Sequence, residues 1–160
     1  MITDERDVER IVKANLERQG WARHWGAHGN TIDWYAHKVF RGEEYILLLE
    51  AKGDVGSSVA NPGGQRLKYI QHALGQIVAR TGPREYGYGP RTILGVAFPE
   101  TCRDGSCYFQ ETLRAKIGEE FRATIRLCYF FVSADGQVKQ DIPAAIDPEL
   151  FATQDHTPVA

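Results

Sequence analysis

Near the start of the chain the apolar residues Val8, Ile11, Val12 and Leu16 recur on a single helical arc. They predict a helix from about Asp4 to Gln19, with Thr3 able to cap its start and Gly20 to end it. The period then shortens. WARHWGAH, residues 21–28, reads as a strand, and TIDWYAHKVF, residues 31–40, alternates Ile32, Trp34 and Ala36 against Thr31, Asp33 and Tyr35. A turn at RG or RGEE leads into YILLLEAK, residues 45–52. Apolar residues occupy both faces of that run, which places it in the middle of a sheet covered on both sides.

GDVGSSVANPGG, residues 53–64, is a loop by composition and delivers the chain into a helix from about Gly64 to Thr81. RTILGVAF is a further strand stopped by Pro99; Phe109, Leu113, Ile117 and Phe121 mark one later helix, and TIRLCYFFV is a final buried strand. The order is helix, three strands, helix, strand, helix, strand, a mixed α/β layered architecture in which an antiparallel meander leads into crossovers. One domain is expected over residues 1–140. The tail, residues 141–160, has three prolines and little apolar content and is expected to wrap the surface or stay loose.

Composition changes this picture little. A chain of 160 residues supports one core, and 42% apolar with 25% charged residues is ordinary for a globular protein. No apolar run is long enough to cross a bilayer, and MITDERDVER lacks the apolar segment of a secretory signal, so the expected setting is the cytoplasm, with no membrane partner. Cys102 and Cys107 have no second pair of ligands at zinc spacing, and Cys128 reads as a core residue. With a formal net charge of −2, any binding of nucleic acid must be local.

The unusual feature lies at the end of YILLLEAK. Glu50 and Lys52 alternate onto one side of that strand. A two-residue hairpin loop, Arg41 and Gly42, would set Asp33 opposite Glu50, whereas a four-residue loop would set Asp33 opposite Lys52. A three-residue loop without a bulge would turn Asp33 away. Two carboxylates held about 5 Å apart on a sheet repel unless something positive lies between them. Mg²⁺ suits such hard oxygen ligands, and with a lysine alongside these are the parts needed to hydrolyse a phosphodiester. As a solitary pair, Glu50 and Lys52 would instead be a solvated ion pair of little energetic consequence.

In the helix that follows, Leu67, Ile70, Leu74 and Ile77 form an apolar stripe, and Gln65, Tyr69, His72 and Gln76 line the opposite face. That face is either plainly solvated or a hydrogen-bonding stripe for a nucleic-acid backbone, flanked by Arg66, Lys68 and Arg80.

With these elements in order, the chain resembles the PD-(D/E)xK nuclease superfamily. Asp33 matches its first acidic position, and EAK, Glu50 to Lys52, its (D/E)xK element. QRLKY, Gln65 to Tyr69, is similar to the Gln-x-x-x-Tyr helix of the RecB-like branch, and ALGQ, Ala73 to Gln76, to the helix of small members. ERIVKANLERQGW resembles the opening helix and makes Glu9 the candidate for a further metal-side carboxylate, although Glu5 lies nearer the middle of the apolar arc. Asp33 follows Thr-Ile rather than proline. The resemblance spans roughly residues 5 to 100. It implies a three-layer restriction-endonuclease-like αβββαβ core, a mixed sheet flanked by helices, with Mg²⁺ or Mn²⁺ on Asp33, Glu50 and Glu9. It further implies Lys52 at the attacking water and a nucleic-acid substrate, DNA in the first instance, acted on by a homodimer or with other DNA-processing proteins.

Other residues carry less. His24, His28 and His37 suit surface or supporting roles, because no helix presents two of them one turn apart. Trp21, Trp25 and Trp34 suit packing against the sheet. Ser57 and Ser58 have no histidine partner, and the loop glycines do not form a P-loop. Besides a nuclease, the sequence therefore admits a non-catalytic binding or regulatory module of the same fold, and a structural domain in which Glu50 and Lys52 are a surface ion pair.

Overall fold

The computed structural model describes residues 2–23 and 34–154. Expectations that fall on His24, Trp25, His28, Thr31, Ile32 and Asp33 lie outside the described residues.

The first helix, α1 (Glu5–Arg18), buries Val8, Val12 and Leu16 completely, as their spacing requires. Its cap is Asp4 rather than Thr3. The Asp4 carboxylate accepts from the Arg6 amide at 2.8 Å, and Thr3 is buried. Strands β1 (Ala22–Arg23), β2 (Trp34–Phe40) and β3 (Glu43–Ala51) follow as an antiparallel meander. Arg41 and Gly42 alone join β2 to β3, with φ of +51° and +79°. Two positive φ values give the tight turn whose twist matches the strands it connects. The register pairs Phe40 with Glu43 and Trp34 with Leu49, which is that of the two-residue loop.

Beyond β3 come α2 (Pro62–Val78), β4 (Thr92–Pro99), α3 (Tyr108–Lys116), α4 (Glu119–Ile125), β5 (Leu127–Val132) and β6 (Val138–Asp141). Among the described residues the strands form one six-stranded mixed sheet in chain order, β1 to β6. Its centre, β3 to β5, is parallel, and β6 runs antiparallel to β5. Every residue of β4 and β5 is buried, because helices cover both faces. Leu47, Leu49 and Ala51 face α1, whereas Leu48 packs with Ile70, Ala73 and Ile77 of α2 and with Phe109 and Leu113 of α3. By that alternation Glu50 shares the α2 side with Leu48.

Several expectations are corrected. The second helix begins at Pro62, capped by Asn61, whose side chain accepts from the Gly64 amide at 3.1 Å, and it ends at Val78 rather than Thr81. Its buried line is Arg66, Ile70, Ala73 and Ile77, with Leu67 and Leu74 half-buried at the edge. The helix expected through Phe109 and Phe121 is two, broken where Ile117 is extended ahead of Gly118; Phe121 is 61% exposed. The tail is not loose as far as it is described. After β6 a short 3-10 turn, Pro148–Phe151, buries Leu150 and Phe151, and the Phe151 ring stacks on Trp21 with centroids 5.4 Å apart. The Leu150 carbonyl accepts from Trp21 Nε1 at 3.2 Å and from the buried Lys38 Nζ at 2.7 Å. No described helix is long and apolar enough to cross a membrane.

Candidate functional site

The site grows from the junction of β3 with α1. The Lys52 amide donates to the Ala97 carbonyl at 3.0 Å, so the residue keeps a strand-like position one step past β3. Gly53 follows, and the Asp54 amide donates to the Thr3 carbonyl at 2.8 Å. The end of β3 is thereby tied to the start of α1, whose first residue is Glu5.

Lys52 Nζ consequently lies 3.2 Å from Glu5 Oε1 and 3.8 Å from Glu50 Oε1. Only 7% of the Glu50 side chain and 17% of the Lys52 side chain is exposed, against 49% for Glu5. An ammonium within reach of a nearly buried carboxylate offsets part of the cost of keeping both charges out of water. Glu9 is paired with Lys13 of its own helix, so the α1 carboxylate brought to Lys52 is Glu5. Asp33 lies outside the described residues. Among the described residues no three His, Cys, Asp or Glu side chains are gathered closely enough to hold an ion.

Lys52 opens onto a cleft of about 540 Å³ whose walls include Glu5, Tyr69, His72 and Arg103. Two members of the polar stripe, Tyr69 and His72, thus reach the same space as Lys52. His72 is exposed and hydrogen-bonded to Gln76 at 2.8 Å, and these two line a shallower groove that continues along α2 past Gly75 and Ala79. Gln65 is half-buried in the first turns of α2, and Lys68 is exposed. Arg80 is paired with Glu85 at 3.3 Å.

Arg66 does not join that face. It is buried, its Nε donating to Asp54 Oδ1 at 2.6 Å, its Nη2 to Asp54 Oδ2 at 3.1 Å and its Nη1 to Asp104 Oδ2 at 2.9 Å. Asp54 also accepts from the Val55 and Arg103 amides, both at 2.8 Å. Burial alone would raise the Asp54 carboxyl, but the bonds from Arg66, Arg103 and Val55 outweigh it and hold the group below its ordinary range. Asp104 is likewise held low, chiefly by Ser106 and then by Arg66. This cluster pins the loop after β3 to the loop after β4. In the sequence Asp54 reads as one residue of a glycine-rich loop, and its partners are distant along the chain.

The remaining candidates lie elsewhere. His37 Nδ1 is 3.7 Å from Glu44, Trp21 and Trp34 are buried in the core, and Ser57 and Ser58 are exposed. Cys102 and Cys128 are buried, and burial pushes both thiols up from their usual range.

What this arrangement offers chemically is two carboxylates, Glu5 and Glu50, converging on one ammonium, with Lys52 and Glu5 lining an open cleft. No family model matches the chain, and no characterised protein or solved structure matches it either.

Proposed function

We propose that this chain is a divalent-metal-dependent nuclease hydrolysing DNA phosphodiester bonds, built on a restriction-endonuclease-like core formed by α1, β1 to β3, α2 and β4. The observation that carries the reading is the convergence of Glu50 and Glu5 on Lys52 beside an open cleft. Oxygen donors of this kind fit Mg²⁺ or Mn²⁺, and Glu50, Asp33 and Glu5 would hold the ion, Glu5 taking the place expected of Glu9. Bound there, the metal supplies polarisation of a phosphoryl oxygen and a more acidic water. Lys52 would orient the attacking water and offset charge developing on the phosphate. Tyr69, His72 and Gln76, with Gln65 near the start of the helix, would bind the nucleic-acid backbone without reading bases. Choice of strand or site would then come from a second copy of the chain or from other DNA-processing proteins.

Cleavage of single-stranded, duplex and branched DNA with Mg²⁺, run beside Lys52→Ala, tests the reading. Loss of a positioned group at the reacting water should slow cutting by about 100-fold or more, beyond what the lower melting temperature expected from stripping the nearly buried Glu50 of its ammonium explains. Equal rates for the two proteins would remove Lys52 from the chemistry.

One observation favours a second reading, a non-catalytic nucleic-acid-binding or regulatory module. Lys52 is already satisfied by two carboxylates, as in a purely structural ion group. Calorimetry with Mg²⁺ and Mn²⁺ separates the two, because the module has no need to take up metal at Glu50.

A further inference from the structure

We infer that Arg103 is a phosphate-binding residue of this cleft, gripping the nucleic-acid backbone beside the bond that is cut; the inference rests on the nuclease reading above. Arg103 lies in the loop between β4 and α3, beyond the carboxyl ends of the parallel strands β3 and β4.

Its position is set twice. The Arg103 amide donates to Asp54 Oδ2 at 2.8 Å, and its Nε donates to the Val55 carbonyl at 3.0 Å. Neither bond consumes the terminal amino groups, and among the described residues no carboxylate pairs with them. Arg66 explains why. Its guanidinium already neutralises Asp54 through two hydrogen bonds, so Asp54 anchors the Arg103 backbone without drawing its charge away.

The exposed Arg103 side chain lines the 540 Å³ cleft and also a neighbouring cavity of about 230 Å³, and it forms, with Gly56, the wall common to both. Asp4, the cap of α1, and Glu5, its first residue, line the same cleft. With Asp4 and Glu5 lining the cleft and Asp104 the neighbouring cavity, an anionic backbone entering there needs a cation to offset them, and a guanidinium whose terminal amino groups make no hydrogen bond among the described residues matches a phosphate in bidentate fashion.

The test is binding of a short fluorescein-labelled single-stranded DNA across a salt series, with Ca²⁺ replacing Mg²⁺, for wild type, Arg103→Gln and Arg103→Lys, beside cleavage in Mg²⁺. Arg103→Gln keeps a donor for the Val55 carbonyl but no charge. It should bind about tenfold more weakly, with the slope of log affinity against log salt shallower by about 0.7, the effect of one phosphate contact on a single strand. Arg103→Lys should restore the slope. A wild type that cuts DNA beside an Arg103→Gln protein of unchanged affinity and slope overturns the inference and leaves the nuclease standing. A wild type that binds without cutting, with the slope lost in Arg103→Gln, sinks the nuclease and keeps the phosphate site. No binding by wild type overturns both.

Discussion

Gly53 and Thr3 meet backbone to backbone at the mouth of the cleft: a Cβ on Gly53 would sit 2.4 Å from the Thr3 carbonyl oxygen and 2.5 Å from the Glu5 amide nitrogen. Neither atom can swing aside as a side-chain tip would. Gly53→Ala should therefore push α1 off the end of β3, costing about 1–3 kcal/mol in urea unfolding. Because Glu5 moves with α1, cleavage should fall by more than the stability loss explains. Gly56→Ala, where an added Cβ meets nothing within 4 Å, should be close to neutral. Equal stability of the two variants would show that the contact does not constrain the junction.

The choice between the two α1 carboxylates is testable directly. Glu5→Gln removes a partner of Lys52, and Glu9→Gln removes only a partner of Lys13. Loss of a partner that only orients a metal ligand typically costs about 10–100-fold, and loss of a carboxylate that itself holds the ion should cost at least as much. Cleavage by Glu5→Gln should drop by at least that order, with Glu9→Gln near wild type. The reverse ranking, read from initial rates, would return the role to Glu9.

Asp54→Asn should be among the most damaging polar substitutions. Among the described residues it leaves the buried guanidinium of Arg66 with Asp104 as its sole remaining carboxylate, and breaking a buried pair costs about 3–5 kcal/mol. The pH dependence follows from the lowered carboxyl. With an unfolded value of about 3.9, the stability contributed by Asp54 is complete above that point and is lost as pH falls through the lower folded value. Asp54→Asn should show its full deficit at neutral pH, and the gap to wild type should narrow in acid. A gap that stays constant down the acid limb of a denaturation series would count against the ionised pair as its source.

At the hairpin, Arg41 adopts φ of +51°, a left-handed conformation that costs an ordinary side chain about 1–2 kcal/mol. Its compensations are a stack over Phe40, 4.8 Å from ring to guanidinium, and exposed ion pairs to Asp147 at 3.2 Å and Glu149 at 3.6 Å. Exposed pairs of this kind contribute little. Arg41→Asn, ahead of Gly42, should raise stability by about 0.5 kcal/mol or more without changing cleavage. A lower denaturation midpoint would mean that the contacts to Asp147 and Glu149 hold the tail more firmly than exposed pairs usually do.

How far the sequence reaches differs from element to element. Val8, Val12 and Leu16 announced α1 because burial on one helical face needs apolar residues at that spacing, the apolar run of β3 announced a strand covered on both sides, and that of β5 a buried strand. The hairpin could not be reduced to one register from composition, since RG and RGEE are both workable turns, and the chain adopts the two-residue turn with two positive φ values. Phe121 was misplaced because helical spacing continues across Gly118 in the sequence but not in the chain path. Leu150 and Phe151 were missed because two apolar residues among prolines carry no period; they are core residues through Trp21 and Lys38, far away along the chain.

By itself, then, the sequence determined the alternation of helix and strand, the central position of β3 and the placement of Glu50 and Lys52 at its end, because periodicity and burial are local properties. Only the tertiary structure decided that Glu5 and not Glu9 reaches Lys52, that Arg66 turns inward to Asp54, and that Arg103 faces the cleft with its charge uncommitted. Those choices depend on how closely α1 docks on Gly53 and on which loops Asp54 draws together, contacts between residues that no local pattern relates.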